Sequence, residues 1–145
     1  MCADTAPTDL PQRRLTLRDT REDVEGAFSE FFESLRDLGY EESNVFAIRL
    51  AVEEAVNNGF RHGNKNDSQK VVFLSWSATP THVELEVEDQ GEGFDPSAVP
   101  DPTAEENLEI PSGRGLMLMR AYMSDVRYVD PGNRVRMVFI KPPPE

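Results

Sequence analysis

Cysteine, histidine and positive charge are scarce in this 145-residue chain: one Cys, two His, and 15 Lys and Arg against 27 Asp and Glu, for a formal net charge of −12. Each shortage excludes something. A lone cysteine, Cys2, set in a polar N-terminal segment, closes no internal disulfide, and a reducing compartment is the simpler expectation. One Cys and two His provide no zinc-ligand spacing. So acidic a balance argues against nucleic acid or an anionic membrane as partner, because both reward clustered basic residues. The opening residues have neither a basic n-region nor an apolar h-region, and no run approaches the length of a membrane span. The sequence therefore reads as soluble and cytoplasmic. It also lacks a Gly-Lys-Ser/Thr phosphate loop, a G-x-G-x-x-G fingerprint and a G-x-S-x-G nucleophile elbow.

The length fits one domain. Residues 1–12 read as a loose arm, residues 13–141 as the domain and residues 142–145 as a tail. Arg14 to Arg18 alternates like a short strand. Asp19 or Thr20 can cap a helix whose apolar residues, Val24, Phe28, Phe31, Phe32, Leu35 and Leu38, recur at helical spacing until Gly39 ends it. Ser43 is the expected cap of a second helix running to about Gly63, with Val45, Ile48, Val52, Ala55, Val56 and Gly59 in one stripe. Phe46 and Leu50 lie off that stripe, which predicts burial on more than one side. Val71–Trp76 and Val83–Asp89 read as a strand pair across Thr79-Pro80-Thr81. In the second strand Glu84, Glu86 and Glu88 alternate with apolar residues as an expected solvated face, while Asp89 has the buried parity. Residues 90–112 form a long connector, uncommon unless it is functional. A short buried helix from Gly115 and a closing hairpin of 126–129 and 135–140 complete the order. The expected class is α+β: two layers, a mixed, mostly antiparallel sheet, three helices on one face.

Three short stretches carry chemistry. On the second helix, Glu54, Asn58 and His62 form one i, i+4 stripe, and Glu53, Asn57 and Arg61 form another. An Asn amide oxygen suits Mg²⁺, and a Glu one turn away can accept a proton from a hydroxyl attacking a phosphate. Equally, such residues can be the solvated side of an amphipathic helix, and His62 a helix-end cap. Spacing alone does not choose between the stripes. Asp89-Gln90-Gly91-Glu92-Gly93 is a turn by its glycines; its carboxylate can accept from an exocyclic amine. Ser112-Gly113-Arg114-Gly115 enters a helix, a start that serves either a phosphate or a simple N-cap.

Taken in order, these stretches resemble the Bergerat-fold ATP-binding superfamily, and within it the anti-sigma-factor serine-protein kinases. Residues 54–58 with His62-Gly63 look like the N box, Asp89 to Phe94 like the first glycine box, and Gly113-Arg114-Gly115-Leu116 like the second. The resemblance spans roughly residues 13 to 140 and prefers the Glu54/Asn58 stripe. It implies ATP and Mg²⁺ as cofactors, Glu54 as general base and Asn58 as magnesium ligand beside His62. Asp89, Gly91, Gly93 and Phe94 would meet the adenine, and Gly113, Arg114, Gly115 and Leu116 the phosphates. A lid over the nucleotide is implied at about 95–112. The implied partners are an anti-anti-sigma protein, phosphorylated on serine, and a sigma factor that is sequestered; a homodimer is implied too. One departure is plain: where relatives often carry Gly-Thr near the last strand, this chain has Gly132-Asn133-Arg134. Two alternatives to the kinase are a non-catalytic, nucleotide-gated module that sequesters a regulator, and a stand-alone histidine-kinase catalytic domain.

Overall fold

The computed structural model describes residues 13–91, 119–129 and 133–141. The expected arm with Cys2, the lid, Gly93, Phe94, Gly113, Arg114, Gly115, Leu116, the start of the third helix, the turn at 130–132 and the tail lie outside the described residues. The described elements are β1 (Arg13–Leu17), α1 (Arg21–Asp37), α2 (Glu42–Asn58), a π-helical turn (Gly59–Gly63), β2 (Val72–Ala78), β3 (His82–Asp89), β4 (Asp125–Val129) and β5 (Arg134–Ile140). Residues 119–122 are helical. Five strands form one sheet in the order β1-β2-β3-β5-β4, and every pairing is antiparallel. This is the two-layer α+β architecture the sequence pattern predicts.

Local chemistry starts and stops α1. The Thr20 hydroxyl accepts from the Asp23 N–H at 3.2 Å, and Glu22 and Asp23 place negative charge at the positive end of the helix. At the other end Gly39, at φ +97°, adopts a left-handed conformation. Its N–H donates to Arg36 O and the Tyr40 N–H donates to Leu35 O, a Schellman closure. Helix α2 departs from expectation at both ends. Its cap residue is Glu41, which makes no side-chain cap, so Ser43 lies inside the first turn. Its last turn widens: Asn64 N–H donates to Gly59 O at 2.7 Å, a five-residue step in place of four.

One row of inward side chains crosses the whole sheet: Leu15, Leu74, Val87, Val135 and Tyr128 pair in register from β1 to β4. A second such row, Trp76, Leu85, Met137 and Val126, lies beside it. Helix α1 covers these rows with Phe31, Phe32 and Leu35, and α2 covers them with Ile48, Val52 and Val56, all essentially sequestered from water. Phe31 packs on Trp76 with ring centroids 4.6 Å apart. Met119, in the helical residues before β4, and Met123, just after them, join this core.

Two expectations about faces fail. Phe46 is 60% exposed and Leu50 only half-buried, so the outer side of α2 faces water and the helix is buried on one side. Conversely, the Glu84, Glu86 and Glu88 face is not simply solvated. Glu86 is buried and accepts from Arg136 at 2.7 Å with Arg134 at 3.9 Å, and Arg14 lies 3.5 Å from Glu88. Cross-strand register explains this: Arg14, Ser75, Glu86, Arg136 and Arg127 are neighbours along one outward row, and long arginine side chains lie across the carboxylates.

Candidate functional site

The C-terminal end of α2 and the C-terminal end of β3 meet on the helix-covered side of the sheet. Glycine makes the approach possible. A Cβ at Gly63 would lie 2.2 Å from the Asp89 carboxylate, and one at Gly91 would lie 2.0 Å from the Gly63 carbonyl oxygen. At Gly59 it would be 3.1 Å from Val72 and 3.5 Å from the Asp89 Cβ. The widened turn therefore seats its backbone directly against Asp89.

Asn64 holds this junction together, and no pattern in the sequence singles it out. It is 1% exposed. Its Nδ2 donates to Val71 O at 3.0 Å, and its Oδ1 accepts from the Gln90 N–H at 2.7 Å. Gln90 returns the contact by accepting from the Val71 N–H at 2.8 Å. Lys65 and Asn66, at φ 55° and 61°, then turn the chain through left-handed geometry. A helix end, the entry to β2 and the exit from β3 are thus closed into one hydrogen-bonded ring.

Inside that frame, Asp89 is half-buried and its Oδ1 accepts from the Gly91 N–H at 2.7 Å. Burial raises its pKa above the ordinary carboxylate value, the Gly91 N–H opposing and nearby Glu88 adding to the shift. On α2 the two stripes differ. Glu53 receives Arg49 at 2.8 Å, and Asn57 and Arg61 are exposed. Glu54 and Asn58 are half-buried; Glu54 has no hydrogen-bond partner among the described residues, and the Asn58 Nδ2 is buried without one. His62 is exposed; partial burial, then Arg61, lowers its pKa, with Glu54 near enough to oppose them. Tyr128 enters from β4. Burial first, then the Asp89 and Glu54 carboxylates, push its phenol up to about 12, against the pull of Arg120. Both carboxylates thus act electrostatically on one phenol.

Among the described residues no group of three or more His, Cys, Asp or Glu is arranged to hold a metal ion. The donor set instead suits a cation that keeps most of its own oxygen ligands: a single neutral amide, the half-buried Asn58, on the face of α2 that carries Glu54. A model of the histidine kinase-like ATPase domain matches residues 17–139. The chain belongs to the histidine kinase-like ATPase domain family. Curated relatives of this ATPase-family domain include the anti-sigma F factor of Geobacillus thermodenitrificans, 34% identical over 97 residues, 65% of this chain and 66% of the relative. The serine-protein kinase RsbW of Oceanobacillus iheyensis is 26% identical over 96 residues, 62% of this chain and 61% of the relative. The serine/threonine-protein kinase BtrW of Bordetella bronchiseptica is 31% identical over 85 residues, 57% and 60% respectively. The chain thus spans about three fifths to two thirds of these relatives' lengths. No helix among the described residues of the domain is long and apolar enough to cross a membrane.

Proposed function

We propose that this ATPase-family domain binds ATP with magnesium, transfers the γ-phosphoryl group to a serine of an anti-anti-sigma-type antagonist, and alternatively sequesters a sigma factor in the cytoplasm. The observation that carries the reading is the junction of the α2 end, whose helix bears Glu54 with no hydrogen-bond partner among the described residues and Asn58 with its buried Nδ2 unpaired, against Asp89 at the adjoining strand end. The names of the relatives, serine-protein kinase and anti-sigma F factor, support the two halves of the activity.

In this reading Asp89 accepts from the adenine amine, and Gly91 and Gly63 keep the backbone close enough for the base to lie flat. Asn58 offers its amide oxygen to magnesium, which when bound neutralises the phosphate charge that builds up during transfer. Glu54 takes the proton of the serine hydroxyl as its oxygen forms the new bond to phosphorus; the bond from phosphorus to the bridging oxygen breaks and ADP leaves with that electron pair. His62, one turn beyond Asn58, has its pKa lowered by partial burial and Arg61, with Glu54 opposing. Gly93, Phe94, Gly113, Arg114, Gly115 and Leu116 are assigned to the adenine and phosphates, and the lid to about 95–112, on the resemblance of their motifs. A homodimer belongs to the same proposal.

Affinity capture from cell lysate with ATP and Mg²⁺, using wild type and Glu54→Gln in parallel, tests it. Mass spectrometry is expected to find a partner that carries phosphoserine only with wild type, while nucleotide binding by Glu54→Gln stays within about threefold of wild type. A partner captured equally by both and unmodified would retire Glu54 as a base and leave a nucleotide-gated sequestering module.

A further inference from the structure

We propose that Asn64 is a positioning residue for this site: the oxygen of its buried side chain fixes the Asp89–Gln90 peptide, and through it the Asp89 carboxylate, before any ligand arrives. The inference rests on the nucleotide-binding reading above. It deepens that reading by giving a task to a residue whose own polar groups are all engaged inside the protein.

Four polar groups of Asn64 each have a partner. Its N–H donates to Gly59 O at 2.7 Å and closes the widened turn, and its carbonyl accepts from the Asp67 N–H at 3.0 Å and closes the connector. Its Nδ2 donates to Val71 O at 3.0 Å, at the entry to β2, and its Oδ1 accepts from the Gln90 N–H at 2.7 Å, at the exit from β3. This pair of side-chain bonds needs a donor and an acceptor on one short side chain. A Leu here would leave both backbone groups without a partner, and an ionised Asp would turn an oxygen towards the Val71 carbonyl. At 1% exposure, water is in no position to make good the loss.

The Gln90 N–H lies in the same peptide plane as the Asp89 carbonyl. That carbonyl accepts from the Asn133 Nδ2 at 2.8 Å, so the plane is held from β5 on one side and from the helix end on the other. One peptide further on, the Gly91 N–H donates to Asp89 Oδ1 at 2.7 Å. A chain of bonds therefore runs from Asn64 through Gln90 and Gly91 to the carboxylate. Gln90 is itself exposed and stands one residue past the end of β3, where backbone amides ordinarily fray. Asn64 removes that freedom in advance, and a site already held in its working geometry has less to lose when it binds.

Amide hydrogen exchange on the free protein and calorimetric titration with ATP and Mg²⁺, run on wild type, Asn64→Ser and Tyr40→Phe, test the inference. Tyr40→Phe is the control: it removes a hydroxyl that donates to Thr79 O at 2.8 Å, at the other end of β3, and lowers stability away from the site. In wild type the Gln90 amide is expected to be protected at least about a hundredfold. Asn64→Ser is expected to strip protection from Gln90 and Gly91 about tenfold more than from the core amides of Leu85 and Met137, and to weaken ATP about three- to tenfold. Tyr40→Phe is expected to lower Tm and leave ATP affinity unchanged. An unprotected Gln90 amide in wild type, Asn64→Ser with wild-type ATP affinity, or equal weakening by Tyr40→Phe overturns the inference, the last because affinity would then follow stability alone. Should Asn64→Ser fail to fold, Asn64→Asp carries the comparison, since it keeps an oxygen for the Gln90 N–H. Its Tm is expected to fall while Gln90 stays protected, and loss of both together overturns the inference. Wild type that binds no ATP would overturn the nucleotide-binding reading and this inference together, whereas failure of the inference alone leaves wild-type ATP binding intact.

Discussion

Asp89 is a half-buried carboxylate with one N–H donor and a backbone packed within contact of Gly63, and that environment costs stability whenever it is ionised. Its folded pKa is raised by burial. The stabilising contribution of this group is then fully present below its unfolded value near 3.8 and is lost as pH rises through the raised folded value. Asp89→Asn keeps an acceptor for the Gly91 N–H and removes the charge. Without nucleotide, the variant should melt higher than wild type at pH 7, and the gap should close as pH falls through the raised folded value to below 3.8. Thermal melts at a series of pH values check this, and a gap that widens on acidification would mean the carboxylate is stabilised in the fold. The same scale shows where sequence reading stops. Asp89 was legible from strand parity and its following glycines. Asn64 was not, because it is a single amide in a polar stretch and one of its two partners, Gln90, lies 26 residues away; Asn133 stood out only as a departure from Gly-Thr, and its hydrogen bond to the Asp89 carbonyl, 44 residues away, shows only in the fold.

Helix α1 has both ends specified by its own sequence, so its stability is open to adjustment in the middle. Gly26 is exposed there, and a Cβ would meet nothing within 4 Å. Gly26→Ala should stabilise the domain by about 0.5–1 kcal/mol, read as a rise in the denaturant midpoint with an unchanged slope. An unchanged midpoint would mean that the glycine's freedom in the unfolded chain is already restricted. Helix α2 is the opposite case. Its apolar stripe was legible, since Val45, Ile48, Val52, Ala55 and Val56 are all buried. Its ends were not: Glu41 makes no side-chain cap, and the turn from Gly59 to Gly63 widens because the glycines there let the backbone settle against β2 and β3. Contacts made by distant strands decide that geometry, and a helical wheel drawn from one segment contains none of them. For the same reason, the alternation of β3 announced an outward carboxylate ladder but not the arginines of β1 and β5 that cover it.

Across the whole molecule, a net charge of −12 on 145 residues makes the compact state repel itself. The Glu86 pairs lie partly buried and are screened little, whereas exposed pairs such as Arg21 with Glu25 add little at any ionic strength. Raising salt from 0.1 M to 1 M, which shortens the screening length from about 10 Å to about 3 Å, should therefore raise Tm. A fall in Tm would show that local pairs outweigh the global repulsion. A different consequence follows from the interlock of Gly63, Asp89 and Gly91. A side chain at 63 would meet the Asp89 carboxylate and one at 91 the Gly63 carbonyl, so a change at any of the three forces a neighbour to move. In evolutionary terms the three positions are coupled: a substitution at one is easier to accept when another has changed with it.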